Sequence, residues 1–79
     1  MRAQLINISK QPSKYGGDFY YLFFKADGKS YRSCVSPSYR NWSKWREVVD
    51  SFDGSPILLD GLKLKGNLVD ADSSPVVVE

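Results

Sequence analysis

The sequence has no histidine, which removes the side chain most often used as a general base and as a nitrogen ligand for metals. It has a single cysteine, Cys34. Neither an internal disulfide nor a multi-thiolate zinc site can be built from this chain. No apolar run approaches the roughly 20 residues of a membrane span, and no charged-then-apolar signal pattern opens the sequence. A cytosolic protein in a reducing compartment, without membrane association, is the expectation. The only paired glycines, Gly16-Gly17, precede a strand-like run rather than a helix, so they do not form a phosphate cradle. Asp70 and Asp72 make a D-x-D pair of a kind that can hold Mg²⁺, yet the Ser73-Ser74-Pro75 beside them reads as turn chemistry. These absences argue for a protein that is not an enzyme and needs no cofactor or metal.

What is present is a globular composition: 42% hydrophobic and 25% charged residues exclude wholesale disorder. A 79-residue chain makes one domain, 1–79, and buries only about 60% of the surface its unfolded form exposes. So thin a core leaves little room for a deep catalytic cleft, and function is expected on a surface. The net charge of +2 conceals a polarity. Met1 to Arg46 carries nine Lys/Arg against two acids, whereas Glu47 to Glu79 carries two lysines against seven acids. Ten of the eleven aromatic residues lie in the basic part, with Phe52 the exception. A cationic, ring-rich region attracts polyanions.

Along the chain, Arg2 to Ser9 alternates loosely and predicts a first strand. Lys10 to Gly17 is turn-rich and basic, a loop. Asp18 to Lys25 (DFYYLFFK) is the strongest strand signal, because aromatic side chains suit a pleated surface. Ala26-Asp27-Gly28 closes a hairpin onto a third strand, Lys29 to Ser36. From Pro37 to Phe52 the period changes. Trp42, Trp45, Val49 and Phe52 recur at helical spacing, with Ser36 or Ser38 as the expected cap and Asp53-Gly54-Ser55-Pro56 as the stop. Ile57 to Lys65 resumes strand character around a bend at Gly61. Gly66-Asn67 turns the chain into a last strand, Leu68–Ala71 with Val76–Val78, which Asp72–Pro75 interrupts.

The order β-β-β-α-β-β predicts an all-β fold with one helix. In this order, with the helix between the third and fourth of five strands, and in its surface chemistry, the chain resembles small OB-fold single-stranded-DNA-binding proteins of the type carried by phages and mobile elements. The resemblance implies a five-stranded OB-fold barrel plugged by the helix. It also implies single-stranded DNA as the partner, in replication or recombination, with ligand lying across the second and third strands and the loops joining strands one-two and four-five. The bacterial members carry a long acidic-tipped tail, whereas Val76-Val77-Val78-Glu79 here reads as strand. Recruitment of a replication-protein partner through such a tail is therefore not implied.

Period-two geometry sets Tyr20, Leu22 and Phe24 on one face of the second strand and Phe19, Tyr21, Phe23 and Lys25 on the other. The Leu22 face is assigned to the core. A two- or four-residue turn sets Arg32 and Cys34 beside the outward rings, whereas a three-residue turn substitutes Tyr31; both registers stay open. Rings among cations stack unpaired bases and neutralise phosphates. The candidate nucleic-acid-binding set is Lys14, Tyr15, Phe19, Tyr21, Phe23, Lys25, Tyr31, Arg32, Lys63 and Lys65. Ordinary packing accounts for other rings: Trp42 and Trp45, on the helix's apolar stripe, read as barrel plugs, and Arg40, Lys44 and Arg46 as its solvated side. Three alternatives stand beside this reading. They are a protein-interaction module (a homodimer or a phage-type inhibitor of a host protein), cold-shock-like RNA binding, and an SH3-like barrel in place of the OB-fold.

Overall fold

The computed structural model describes residues 1–12, 14 and 17–78. It is mostly β-sheet with one helix, and the sheet is strongly curled. The strands are β1 (Ala3–Pro12), β2 (Asp18–Ala26), β3 (Lys29–Val35), β4 (Ile57–Asp60), β5 (Leu64–Lys65), β6 (Leu68–Val69) and β7 (Val76–Val77). The helix α1 spans Trp42–Ser51, between β3 and β4. Strand order in the sheet is β5-β6-β3-β2-β1-β4-β7. All pairings are antiparallel except β3 with β6, which is parallel.

Seven strands, three long and four short, stand where five were expected, because two of the expected strands break where the sheet bends. At Gly61 the backbone turns to a φ of 77°, separating β4 from β5. A Cβ there would overlap the Ser74 carbonyl oxygen, so glycine is required by both conformation and space. The N-terminus of the chain clamps the far side of this bend: the Met1 amino group donates to Leu62 O at 2.9 Å, and Leu62 N donates to Met1 O at 3.2 Å. The second break, between β6 and β7, is a polar turn. Asp72 N donates to Asp70 Oδ1 at 2.9 Å and Ser73 N to Asp70 O at 3.0 Å. The D-x-D pair thus serves as turn chemistry here.

A bulge in β1 adds to the curl. Leu5 pairs with Phe24 but Asn7 pairs with Phe23, so the bulge at Ile6 inserts a residue and strengthens the local twist. Both Leu5 and Ile8 can then face inward, and the fully buried Leu5, Leu22, Phe24, Val35 and Leu59 form the centre of the core. The first strand runs on past Ser9 to Pro12, which pairs with Asp18; the expected loop is shorter than its composition implied.

The helix begins at Trp42, not at Pro37. Residues 36–41 form two successive turns, Tyr39 N donating to Ser36 O and Trp42 N to Tyr39 O, each at 3.0 Å. Ser36 and Ser38 bond each other through their hydroxyls at 2.7 Å, and Asn41 occupies the cap position without a side-chain cap bond. The serines therefore form a local turn, the alternative that their short polar side chains offer to helix. Trp45 and Val48 are the buried face of α1. Trp45 meets Phe24 edge-on, with ring centroids 6.3 Å apart, and its indole N–H donates to Ala71 O at 2.7 Å. Trp42 stacks on Tyr20 at 5.3 Å. Trp45 thus lies in the interior, and Trp42 packs half-buried against the core. Among the described residues no helix is long and apolar enough to cross a membrane.

Candidate functional site

The β2–β3 hairpin fixes which side chains face out. Ala26 pairs with Lys29, so the turn has two residues, Asp27 and Gly28, both with positive φ (51° and 76°). This is the type I′ geometry, whose twist matches that of the strands. The register sets Tyr21 opposite Cys34, Phe23 opposite Arg32 and Lys25 opposite Ser30. Leu22 and Phe24 are fully buried, whereas Tyr21 and Phe23 are 40% and 37% exposed. Tyr31 pairs with Phe24 and packs half-buried on the core side; of the two open registers, the one with Arg32 outward is realised. Tyr31 is thus not part of the outward row.

The row continues across the sheet. Arg32 pairs with Leu68, and Leu68 with Lys65. On the other side Phe23 pairs with Asn7 and Tyr21 with Ser9. Two adjoining depressions share Phe23 and Arg32 as the ridge between them. The first, about 530 Å³, is bounded by Tyr21 and Cys34 on one wall and by Lys65, Leu68 and Asp70 on the other, with Tyr39 at one end. The second, about 640 Å³, opens toward the hairpin and is bounded by Lys29, Ser30, Leu64 and the Gly66-Asn67 turn, and Tyr31, though outside the outward row, also borders it. The two together make a track bordered by rings and cations.

Among the described residues the ion pairs are Arg2–Asp60, Lys10–Asp18 and Arg46–Asp50, at 3.2, 3.4 and 3.6 Å. Lys25, Arg32 and Lys65 are in none of them, so their charge remains available to a ligand. Cys34 is half-buried at the cleft wall. Burial pushes its thiol above the ordinary value, leaving a neutral side chain rather than a nucleophile at neutral pH.

Of the expected binding set, the first depression gathers Tyr21, Phe23, Arg32 and Lys65. Phe19 continues the outward row, half-buried opposite Gln11, and Lys25 ends it, exposed beside Ser30. Neither lines either of these two depressions. Lys63 is exposed beside the bend, its backbone bonded to Ser73 and Asp70. Lys14 is exposed, and Tyr15 lies outside the described residues. Sequence reasoning missed Tyr39, Leu68 and Asp70. The Ser-Pro-Ser before Tyr39 was the signal that this ring sits on a turn rather than on the helix. Leu68 and Asp70 share a face by alternation and the Lys65–Leu68 pairing across the Gly66-Asn67 turn adds Lys65 to it, but only the parallel β3–β6 pairing brings them beside Arg32. No protein-family model, curated protein or solved structure matches this chain.

Proposed function

We propose that the protein is an OB-type barrel that binds single-stranded nucleic acid, DNA in the first instance, by stacking bases on Tyr21 and Phe23 and pairing phosphates with Arg32, Lys65 and Lys25. Several features support the architecture. If β4 and β5 are taken as one strand bent at Gly61, the sheet β1-β2-β3-β6-β5/β4 returns to β1, because β4 pairs with β1. That makes five strands with the helix after the third, and β7 as a short appendage. The track lies on the second and third strands, and the Gly66-Asn67 turn borders it, where such barrels hold oligonucleotides.

One observation carries the reading: two rings 40% and 37% exposed, side by side with an arginine that is in no ion pair among the described residues. Solvent does not favour that arrangement, and Phe24 and Trp45 show that the core takes up rings where the strand period turns them inward. Unpaired bases offer π-faces worth about 1–3 kcal/mol each on an aromatic platform. The chemistry is binding without catalysis. It fits processes that expose unpaired strands, replication or recombination.

Fluorescence anisotropy with labelled dT and rU oligomers at two salt concentrations tests it. Affinity for dT should exceed that for duplex and fall steeply with salt. Arg32→Ala should make the slope of log affinity against log salt shallower by about 0.7, the share of one phosphate contact on a single strand. Affinity independent of salt removes the reading. A second reading, docking of another protein on the same face, is favoured by Leu64 and Leu68, exposed at 43% and 45%. Light scattering that finds a tight dimer indifferent to oligonucleotide would select it.

A further inference from the structure

We infer that the first depression reads a guanine base through the carboxylate of Asp70, an inference that rests on the single-strand reading above. Among the described residues Asp70 is the one acid in a cleft otherwise lined by rings, cations, aliphatic and small polar side chains. Phosphates repel it, so it contributes nothing to holding a nucleic-acid backbone. It is half-buried, and among the described residues it forms no ion pair. Its position is held from three sides. Oδ1 accepts the Asp72 N–H at 2.9 Å, Asp70 N donates to Lys63 O at 2.8 Å, and Asp70 O accepts the Ser73 N–H at 3.0 Å. The remaining lone pairs have no partner among the described residues.

An ionised carboxylate only accepts hydrogen bonds, and its two oxygens together offer about four lone-pair sites. Its complement in a nucleic acid is therefore a pair of N–H donors on a base edge. Single strands leave the Watson–Crick edge open to such contacts. Guanine alone presents two adjacent donors there, N1–H and N2–H. Thymine and uracil present one N–H between two carbonyls that repel a carboxylate, and adenine and cytosine pair an amino group with a ring-nitrogen acceptor. With Tyr21, Phe23 or Tyr39 stacking the base and Arg32 and Lys65 taking its phosphates, Asp70 selects guanine.

The test is a competition series on the full chain using dT oligomers of about 12 nucleotides, within the span of one such domain. Each carries T, G, C, A or inosine at one central position. The G oligomer should bind about tenfold tighter than the T oligomer, as a good bidentate contact allows. Inosine, which lacks the N2 amino group, should lose most of that gain. Asp70→Asn keeps an oxygen to accept the Asp72 N–H, so its melting temperature should hold. It should abolish the preference for G while leaving dT affinity equal or higher. Equal affinities for G and T in the unaltered protein, or a preference that survives both inosine and Asp70→Asn, would overturn the guanine assignment and leave single-strand binding intact. Failure to bind any oligomer at low salt would remove both.

Discussion

The two faces of β2 carry nearly the same chemistry and meet opposite fates. Leu22 and Phe24 point inward and are fully buried, whereas Tyr21 and Phe23 point outward, about 40% exposed, with Arg32 and Cys34 beside them. Hydrophobicity alone does not separate them, since Phe23 and Phe24 are the same residue one position apart. The strand's two-residue period makes one of them core and the other surface. The inner ring has Trp45 edge-on against it, whereas the outer ring borders two depressions large enough to hold a ligand. The inner face should accordingly govern stability, and the outer face binding.

The largest effect should come from Phe24→Ala, which empties the centre of the core and should lower unfolding free energy by about 3–5 kcal/mol, read from the urea midpoint. For a domain this small, that is much of the total. A loss below about 1 kcal/mol, the average for any point substitution, would mean the two faces are not distinct. Gly61→Ala should come next. Positive φ alone costs a non-glycine residue about 1–2 kcal/mol, the loss expected for Gly28→Ala, where a Cβ would meet open space. At Gly61 the Ser74 carbonyl stands in the way as well, so thermal melts should rank Gly61→Ala clearly below Gly28→Ala. Equal losses would mean that the bend joining β4 to β5 does not depend on the contact with Ser74.

Tyr21→Ala sharpens the comparison from the other side. Its effect on stability should stay within about 0.5 kcal/mol, as for surface substitutions generally, while affinity for dT falls by about 1–3 kcal/mol. A melt as damaged as that of Phe24→Ala would show the outer ring to be structural. The smallest effect belongs to Asp60. Its carboxyl is held below the ordinary value first by the Gly61 N–H, at 2.8 Å, and then by the Arg2 guanidinium. A depressed folded value means the stabilisation is present above the unfolded value, about 3.9, and disappears as pH falls through the folded one. Melts taken from neutral pH downward should fall slightly more for the unaltered protein than for Asp60→Asn. Parallel curves would deny the pair any role.

Much of this was legible in the residues because it depends on short-range rules. Alternation in DFYYLFFK places rings on both faces of β2 whatever the rest of the chain does. Asp27-Gly28 encodes the I′ turn, and Gly61 marks the bend. What stayed illegible depended on partners distant in sequence. The serines at 36 and 38 satisfied each other instead of capping a helix, an outcome that helix propensity does not foresee. Val48, off the expected stripe of Trp42, Trp45, Val49 and Phe52, became buried because Trp45 turned the helix toward Phe24.

By itself, then, the sequence determined an all-β chain with one helix, a tight hairpin, and a strand that must show rings to solvent, since these follow from side-chain shape and the period of the backbone. Tertiary structure decided that β3 runs parallel to β6. That single pairing brings Leu68 beside Arg32 and Lys65 and Asp70 to the same cleft. The residues concerned lie more than thirty positions apart, and nothing local in either segment encodes their meeting. The curl of the sheet around a shared core does so, because that is how so thin a core can be covered.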